Sequence, residues 1–442
     1  MKGMKLVALL PAALTLLAAV AAPRAVAAQA ASVSKLDPVA ATQTYLASVP
    51  ADKRARSDAY FEGGYWLQLW DFLIGAGIAL LLLTRRWSGR MRDFAERLTR
   101  RKPVQTFVYW AQYFAVIVLI SLPMTIYEGF IREHAYGLAT QGFGGWLGDQ
   151  AKGWALGLVF GGVFVALLYG VIRRVPRTWW LWGSVVTIVF LAFVQFIAPV
   201  FIMPLFNKYT RLADPVVREP ILQMARANGI DATDVWVADA SRQSTRVSAN
   251  VSGFLGTERI TLNDNLLNRC SLAEIEAVMG HEMGHYVMNH VYKGFLFFAV
   301  VAMIGFAFLR WAFDVVARRK GEAWGIRGIG DVAGLPLLGL LLSVFFFVLT
   351  PITNSYIRIG EIEADMYGLN AARQPDGEAE VDLKLGEYRK LDPGNIEEII
   401  FFDHPSGRNR ILMAMKWKAE NLPAAGPTSS PSPASSPAVL KP

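Results

Sequence analysis

The chain contains a single cysteine among its 442 residues, so it cannot form an internal disulfide bond. We expect this thiol, Cys270, to be an inert core side chain. Charged residues are scarce at 18%, whereas 53% of the residues are hydrophobic, a balance typical of a membrane protein. No internal repeat is apparent either, which counts against a transporter built from repeated halves.

Six apolar runs of about 20 residues each predict membrane-spanning helices. One such run could be a buried helix of a soluble domain, but six leave this alternative little room. The predicted spans are Tyr65–Thr84, Phe107–Tyr127, Trp154–Ile172, Leu181–Ile202, Phe295–Ala312 and Leu335–Thr353. The fold class expected is mainly α: a polytopic α-helical membrane protein of about six spans plus an N-terminal signal, with a zincin-like α+β catalytic insert.

The two ends of the chain differ from this pattern. A basic start, an apolar stretch and small residues predict a signal peptide over residues 1–30, with an uncleaved anchor as the alternative. The far end is rich in Pro, Ser and Ala and is expected to be disordered. The predicted domain organisation after the signal consists of an extracytoplasmic segment 31–64, four transmembrane helices 65–206, the catalytic insert 207–293, two transmembrane helices 294–356, a C-terminal catalytic part 357–420 and a tail 421–442.

Histidine is also rare, yet two of the five histidines stand four residues apart in His281-Glu282-Met283-Gly284-His285. On a helix this spacing puts both imidazoles on one face, where they can bind one zinc ion. The glutamate between them can then accept a proton from a water molecule. Ser271 and Glu274 form a capping-box pattern that predicts the start of this helix.

A catalytic zinc site needs a third protein ligand. The segment after the last span contains two carboxylates on one helix face, Glu361 and Asp365, and either could approach the histidines. Glu363 should point elsewhere on that helix, and the neighbouring Gly360 and Ala364 should allow close approach. His290 lies about 140° round a continuous helix from His285, so we do not expect it to bind the same ion. His134 is assigned a structural role.

Four separated motifs resemble those of the type I CaaX prenyl protease family of integral membrane zinc metalloendopeptidases, and the chain is identified as a bacterial member. The motifs are the run Pro199–Lys208, the zinc motif followed by Asn289-His290, the set Arg358, Glu361, Ala364 and Asp365, and the set His404, Pro405 and Arg410. The chain departs from the family pattern at Ser248-Ala249, where relatives have Asn-Ala.

The resemblance implies one Zn²⁺ per chain, held by His281, His285 and Glu361. It also implies that His404 or Arg410 stabilises the oxyanion that forms during catalysis. Asp365 is expected to orient a ligand histidine. We expect a peptide substrate to bind along an edge strand containing Ser248, Ala249, Asn250 and Val251.

Basic residues predict the orientation. Three short connections between spans are rich in arginine and should be cytoplasmic by the positive-inside rule. They contain Arg85 to Lys102, Arg173 to Arg177 and Arg310 to Arg327. The catalytic insert should therefore lie on the periplasmic side of a bacterial inner membrane. The net charge of +8 is explained by these anchors near lipid and requires no nucleic-acid partner.

Three functions remain open. The first is a zinc endopeptidase that cleaves membrane-associated or exported proteins, with Glu282 as the base. The second is CaaX-type processing of prenylated C-termini, which the predicted periplasmic orientation disfavours. The third is a non-catalytic transporter or scaffold. Asp71, a charged residue inside a predicted span, is compatible with transport. A chain without activity has no need of Glu282, which favours an enzyme.

Overall fold

A computed structural model describes residues 36–253 and 258–423, so the predicted signal and the end of the tail lie outside the described residues. The first half of this part is helical. Its helices are α1 (Pro38–Ser48), α2 (Ala51–Thr84), α3 (Trp87–Leu98), α4 (Lys102–Ile126), α5 (Glu133–Ala135), α6 (Phe143–Arg174) and α7 (Trp179–Ile197). Two short π-helical segments, Tyr127–Arg132 and Ala198–Ile202, follow α4 and α7.

A small mixed region follows the first half. Its elements are β1 (Tyr209–Arg211), α8 (Pro215–Ala227), β2 (Val235–Ala238), β3 (Ala249–Ser252), β4 (Arg259–Asn263), α9 (Asp264–Arg269) and α10 (Leu272–Val287). From there to residue 423, where the described part ends, the regular elements are helices. These are α11 (His290–Trp324), α12 (Leu335–Ala372), α13 (Pro375–Leu385), α14 (Asn395–Phe401) and α15 (Gly407–Asn421).

Among the described residues, six helical segments are long and apolar enough to cross a membrane, as predicted. They are Ala51–Thr84, Lys102–Ala135, Phe143–Arg174, Trp179–Leu205, His290–Trp324 and Val332–Ala372. Each contains one of the six spans that hydropathy predicts. The protein is therefore a mainly α-helical, multi-span membrane protein.

Aromatic side chains fill the centre of the helix bundle. Tyr109 and Tyr169 are fully buried, and Phe313 is 2% exposed. The Tyr109 hydroxyl is 2.6 Å from the buried Ser88 hydroxyl, so a hydrogen bond inside the core joins α3 to α4. These contacts fix the helix between the first two spans as part of the bundle.

Basic residues from the three arginine-rich connections meet at one end of the bundle, which we call the basic end. The contacts are those of Arg86 with the Ala323 carbonyl (2.7 Å), Arg92 with Asp331 (2.6 Å), Arg173 with the Gly330 carbonyl (3.0 Å) and Arg327 with Glu96 (2.9 Å). Since these connections contact one another, they lie on the same side of the bundle.

The four strands form one sheet with the order β1-β2-β4-β3. Strands β2 and β4 are parallel, whereas the other two pairs are antiparallel. The alternating patterns of residues 234–241 and 245–254 predict β2 and β3, whereas no pattern predicts β1 or β4. Strand β3 has a partner on one side only among the described strands, so it is the edge strand that the sequence predicts.

The local helix signals operate as expected. Ser271 caps α10 in a full capping box with Glu274. The pair Asp214-Pro215 also predicts a helix start, and Asp214 caps α8 by accepting a hydrogen bond from the Val216 amide. Helix α12 is longer than predicted because the last span and the segment with Glu361 form one uninterrupted helix of 38 residues. The expected domain boundary between residues 356 and 357 therefore falls inside a single helix.

Helices α10 and α12 approach each other closely because small residues face each other. A Cβ atom at Gly368 would lie 2.7 Å from the His281 backbone nitrogen. A Cβ atom at Gly284 would lie 3.1 Å from the Ala364 backbone. Of the two small residues expected to allow this approach, Ala364 is at the contact, whereas Gly360 faces the His290 ring. This packing brings the two motif-bearing helices together.

Candidate metal centre

Three side chains predicted to bind zinc converge between α10 and α12. One donor atom from each of His281, His285 and Glu361 lies within 4.8 Å of the others. The two histidine Nε2 atoms are 3.1 Å apart, and they lie 3.3 and 3.4 Å from the Glu361 carboxylate oxygens. Tetrahedral zinc with bonds near 2.05 Å would separate its ligand atoms by about 3.3 Å. The donor types and their spacing therefore fit a zinc ion.

The surroundings of Glu361 support the same interpretation. Its Oε2 atom is buried and makes no hydrogen bond, although the Nε2 atoms of His281 and His404 both lie 3.3 Å away. These nitrogens surround the oxygen at ion-pair distance without hydrogen-bond geometry. A buried carboxylate with this arrangement of neighbours is suited to a cation rather than to an ordinary hydrogen-bond network.

Glu282 lies beside the three donors on α10 and is partly buried. Burial raises the pKa of Glu282 above its usual range, because a charged carboxylate loses hydration in this position. A higher pKa makes the carboxylate a better proton acceptor near neutral pH. A bound cation would act in the opposite direction on this pKa. The position and chemistry are those of a general base.

Asp365 and Arg410 lie behind His281, on the side of the ring opposite to Nε2. The Asp365 carboxylate is 2.7 Å from His281 Nδ1 and accepts hydrogen bonds from the Arg410 guanidinium. Arg410 is buried and also pairs with Glu378 at 3.4 Å and with Asp382 on α13 at 3.3 Å. The guanidinium is thus engaged by three carboxylates.

His404 occupies a different position, in front of the donors. Its Nε2 atom is 3.3 Å from Glu361 Oε2, and its Nδ1 atom is 2.8 Å from the Asp403 carboxylate. The sequence offers both His404 and Arg410 for contact with a developing oxyanion. The geometry favours His404, because Arg410 faces the back of a ligand ring.

His290 is a site residue whose position the sequence does not predict. The backbone of Asn289 is left-handed, with φ of 58°, so α10 ends and α11 begins in a new direction. His290 Nδ1 consequently lies 2.8 Å from His285 Nδ1, and its Nε2 lies 3.0 Å from Glu363. The assumption of a continuous helix, and with it the 140° separation, is wrong. Glu363 contacts His290 and is not one of the three donors, as expected from its place elsewhere on the helix.

The hydrogen-bond directions in this chain follow from the chemistry of imidazole. A histidine that binds a metal through Nε2 carries its proton on Nδ1. His285 would then donate to His290 Nδ1, and His290 would donate from Nε2 to the Glu363 carboxylate. Every donor meets an acceptor. The Asn-His pair after the zinc motif was the available signal for this contact.

The predicted substrate strand lies next to the metal-binding helix. Ala249, Asn250 and Val251 are in β3, whereas Ser248 precedes it and is exposed. The Ser248 amide donates to the Asn263 side chain at 3.1 Å, which fixes the start of the strand. Helix α10 packs against β3. A peptide added to the free edge of β3 would therefore lie close to the candidate site.

Comparisons with known proteins cover most of the chain. Residues 38–208 match a family model that is described as "CAAX prenyl protease N-terminal, five membrane helices". Residues 211–418 match the model of peptidase family M48. The uncharacterized metalloprotease YhfN of Bacillus subtilis is 31% identical over 361 residues, which cover 80% of this chain and 84% of YhfN.

Two further proteins are similar at lower identity. A CAAX prenyl protease 1 homolog of Oryza sativa subsp. japonica is 26% identical over 305 residues, 68% of this chain and 70% of that protein. The crystal structure of S. mikatae Ste24p matches with a TM-score of 0.71 at 22% identity, over 86% of this chain and 94% of that one. At this identity the structural match establishes a shared fold.

Proposed function

Because this chain belongs to peptidase family M48 and is a multi-span membrane metalloprotease, we propose that His281, His285 and Glu361 hold one zinc ion at which peptide bonds are hydrolysed. Family membership also removes the alternative of a non-catalytic transporter or scaffold. The observation that carries the proposal is the spacing of 3.1–3.4 Å between the two histidine Nε2 atoms and between each of them and one Glu361 carboxylate oxygen, with Glu282 nearby.

The roles of the side chains follow from their positions. When bound, zinc would acidify a water molecule and polarise the scissile carbonyl. Glu282 accepts the proton of the attacking water and passes it to the leaving amine. Asp365 fixes the orientation of His281 through Nδ1. In its protonated form, held by Asp403, His404 donates a hydrogen bond to the oxygen that gains negative charge.

We propose that the substrates are membrane-associated or exported proteins. A substrate segment adds to the free edge of β3 through backbone hydrogen bonds, which depend little on its sequence. The membrane helices keep the enzyme among substrates in the same bilayer. Peptide and lipid are thus the expected partners, and the function requires no nucleic acid.

The location proposed is the inner membrane of a bacterium, with the metal centre on the periplasmic side. The support is the basic end of the bundle, where the arginine-rich connections contact one another. By the positive-inside rule this end faces the cytoplasm. The elements that carry the metal centre emerge from the other ends of the same helices.

Processing of prenylated C-termini is the second candidate, because the rice relative is named as a CAAX prenyl protease 1 homolog. A periplasmic site disfavours it, since prenylated proteins of this type are not expected in that compartment. Cleavage of a farnesylated peptide but not of its unmodified counterpart would favour this candidate over the first.

The test of the proposed function uses purified full-length enzyme in detergent. Wild-type enzyme should hydrolyse an unstructured protein such as casein, lose activity with a chelator and regain it with zinc. Glu282→Ala should be inactive under every condition. In cells, the Glu282→Ala variant should bind and retain uncleaved substrates, which proteomics can identify. Equal activity of wild-type and Glu282→Ala enzyme would refute the proposal.

A further inference from the structure

Among the described residues, one cavity is lined by several basic side chains. It has a volume of about 380 Å³ and contains Arg132, Arg246 and Arg389 in its lining but no aspartate or glutamate. The rest of the wall is largely aromatic, with Tyr60, Phe61, Tyr65, Tyr388 and Phe401. A cavity with cationic groups on aromatic walls is suited to an anionic group attached to an organic chain.

The positive charges in this cavity are only partly balanced. Arg246 pairs with Glu133 at 2.7 Å through Nη2, but its Nε atom is buried and lacks a hydrogen-bond partner. Arg132 donates to the Tyr60 carbonyl and lies 3.9 Å from the centre of that ring. Among the described residues, neither Arg132 nor Arg389 has a carboxylate within 4.0 Å. These two guanidinium groups therefore form no close ion pair, although Glu128 is within electrostatic reach of Arg132, and Asp382 and Asp403 are within reach of Arg389.

The lining of the cavity is close in sequence to two parts of the candidate site. Arg246 is three residues before Ala249, where β3 begins, and Phe401 is three residues before His404. Three residues span at most about 11 Å in an extended chain. His404 itself is 3.3 Å from Glu361. A peptide bound at the centre can thus reach the cavity within a few residues.

Strand pairing determines which end of the peptide reaches it. Antiparallel pairs are more common than parallel pairs. A peptide that adds antiparallel to β3 places its C-terminal residues beside the start of that strand, near Arg246. The cavity therefore lies on the C-terminal side of the cleaved bond.

We propose that the cavity formed by Arg132, Arg246 and Arg389 is a subsite for a carboxylate on the C-terminal side of the scissile bond, from an acidic side chain or from the chain end. The guanidinium group matches a carboxylate with two parallel hydrogen bonds. The aromatic walls contact the apolar part of the same residue. This inference deepens the proposed function and rests on it.

The experiment compares three quenched peptides with one neutral core. The first ends in a free carboxylate, the second in an amide, and the third ends in an amide but carries a glutamate three residues after the core. Binding is measured on Glu282→Ala enzyme and kcat/KM on wild-type enzyme. Each measurement is repeated with Arg389→Gln, with Arg389→Lys and with Arg226→Gln, an exposed arginine on α8 outside the cavity.

We expect at least one carboxylate peptide to bind and react about tenfold to a hundredfold better than the amide peptide. The peptide that shows the gain identifies the source of the carboxylate. In Arg389→Gln the ratio should fall to about one with metal content unchanged, Arg389→Lys should keep part of it, and Arg226→Gln should keep all of it.

Equal binding of the three peptides would overturn the subsite, whether or not the enzyme cleaves them. Failure of wild-type enzyme to cleave both casein and all three peptides would instead refute the proposed function, while the binding preference would still decide the subsite. If no carboxylate is preferred and anionic phospholipid micelles stabilise the wild type but not Arg389→Gln, the cavity binds lipid phosphate and the proposal is wrong.

Discussion

Metal binding and proton transfer at the metal centre can be separated by changing single residues. We predict that Glu361→Ala loses zinc and activity together, because the change deletes a ligand. Glu282→Ala should keep stoichiometric zinc and lose activity, because it removes only a base. Metal analysis of the purified variants beside a peptidase assay checks both results. Full zinc content in the Glu361 variant would contradict the ligand assignment.

His290 is predicted to act through His285 rather than on the substrate. Without its ring, the His285 Nδ1–H loses its acceptor at 2.8 Å. We expect His290→Ala to weaken zinc binding by about 10–100-fold, as loss of such outer partners does in other metal sites. Competition with a chelator measures this affinity independently of activity. The matched control is His134→Ala, since among the described residues that exposed ring hydrogen-bonds to the Phe130 carbonyl alone. Equal zinc affinities of the two variants would refute the role.

At the scale of elements, the contact between α10 and α12 determines whether the site forms. We predict that Gly368→Ala destabilises the protein by about 1–3 kcal/mol, because the new methyl group would lie 2.7 Å from the His281 backbone nitrogen. Gly360→Ala on the same helix is the control. Its methyl group meets only the His290 ring at 3.8 Å, so stability should be kept or slightly raised. Thermal unfolding in detergent compares the two, and equal melting temperatures would argue against the close contact.

The sequence predicts those elements whose signals are local. The capping box of Ser271 and the Asp214 cap involve neighbouring residues, so they can be recognised before the fold is known. Strand β1 has three residues and depends on pairing with β2, which is a tertiary contact. The left-handed turn at Asn289 likewise leaves no periodic pattern. A continuous helix is therefore the expectation from sequence, and it places His290 on the wrong side of His285.

The same distinction applies to the candidate site. Its three donors and Glu282 belong to motifs with fixed spacing, so the sequence identifies them. The relative positions of His404 and Arg410 depend on how α14 and α15 pack against α12. No motif reveals the cavity, because its residues are distant in the chain. Arg132 and Arg389, for example, are 257 positions apart (389 − 132).

At the scale of the whole molecule, the arginine-rich connections make the orientation testable. We predict that a reporter active only in the cytoplasm is active when fused after Arg101 and silent when fused after Asn265. The reason is that the first position belongs to the basic end and the second to the region between the fourth and fifth spans. Activity of the Asn265 fusion would place the metal centre on the cytoplasmic side and would remove exported proteins as substrates.

The uninterrupted helix α12 links the height of the candidate metal centre above the membrane to the end of the predicted last span. Thr353 ends the predicted last span, and Glu361 follows eight residues later in the same helix, which corresponds to a rise of at most about 12 Å. The close packing of α10 on α12 holds His281 and His285 at the same height. For a substrate anchored in the same bilayer, this fixed height places the cleaved bond roughly four extended residues from the membrane. The position of cleavage would then be set by distance from the lipid more than by the residues on either side of the bond.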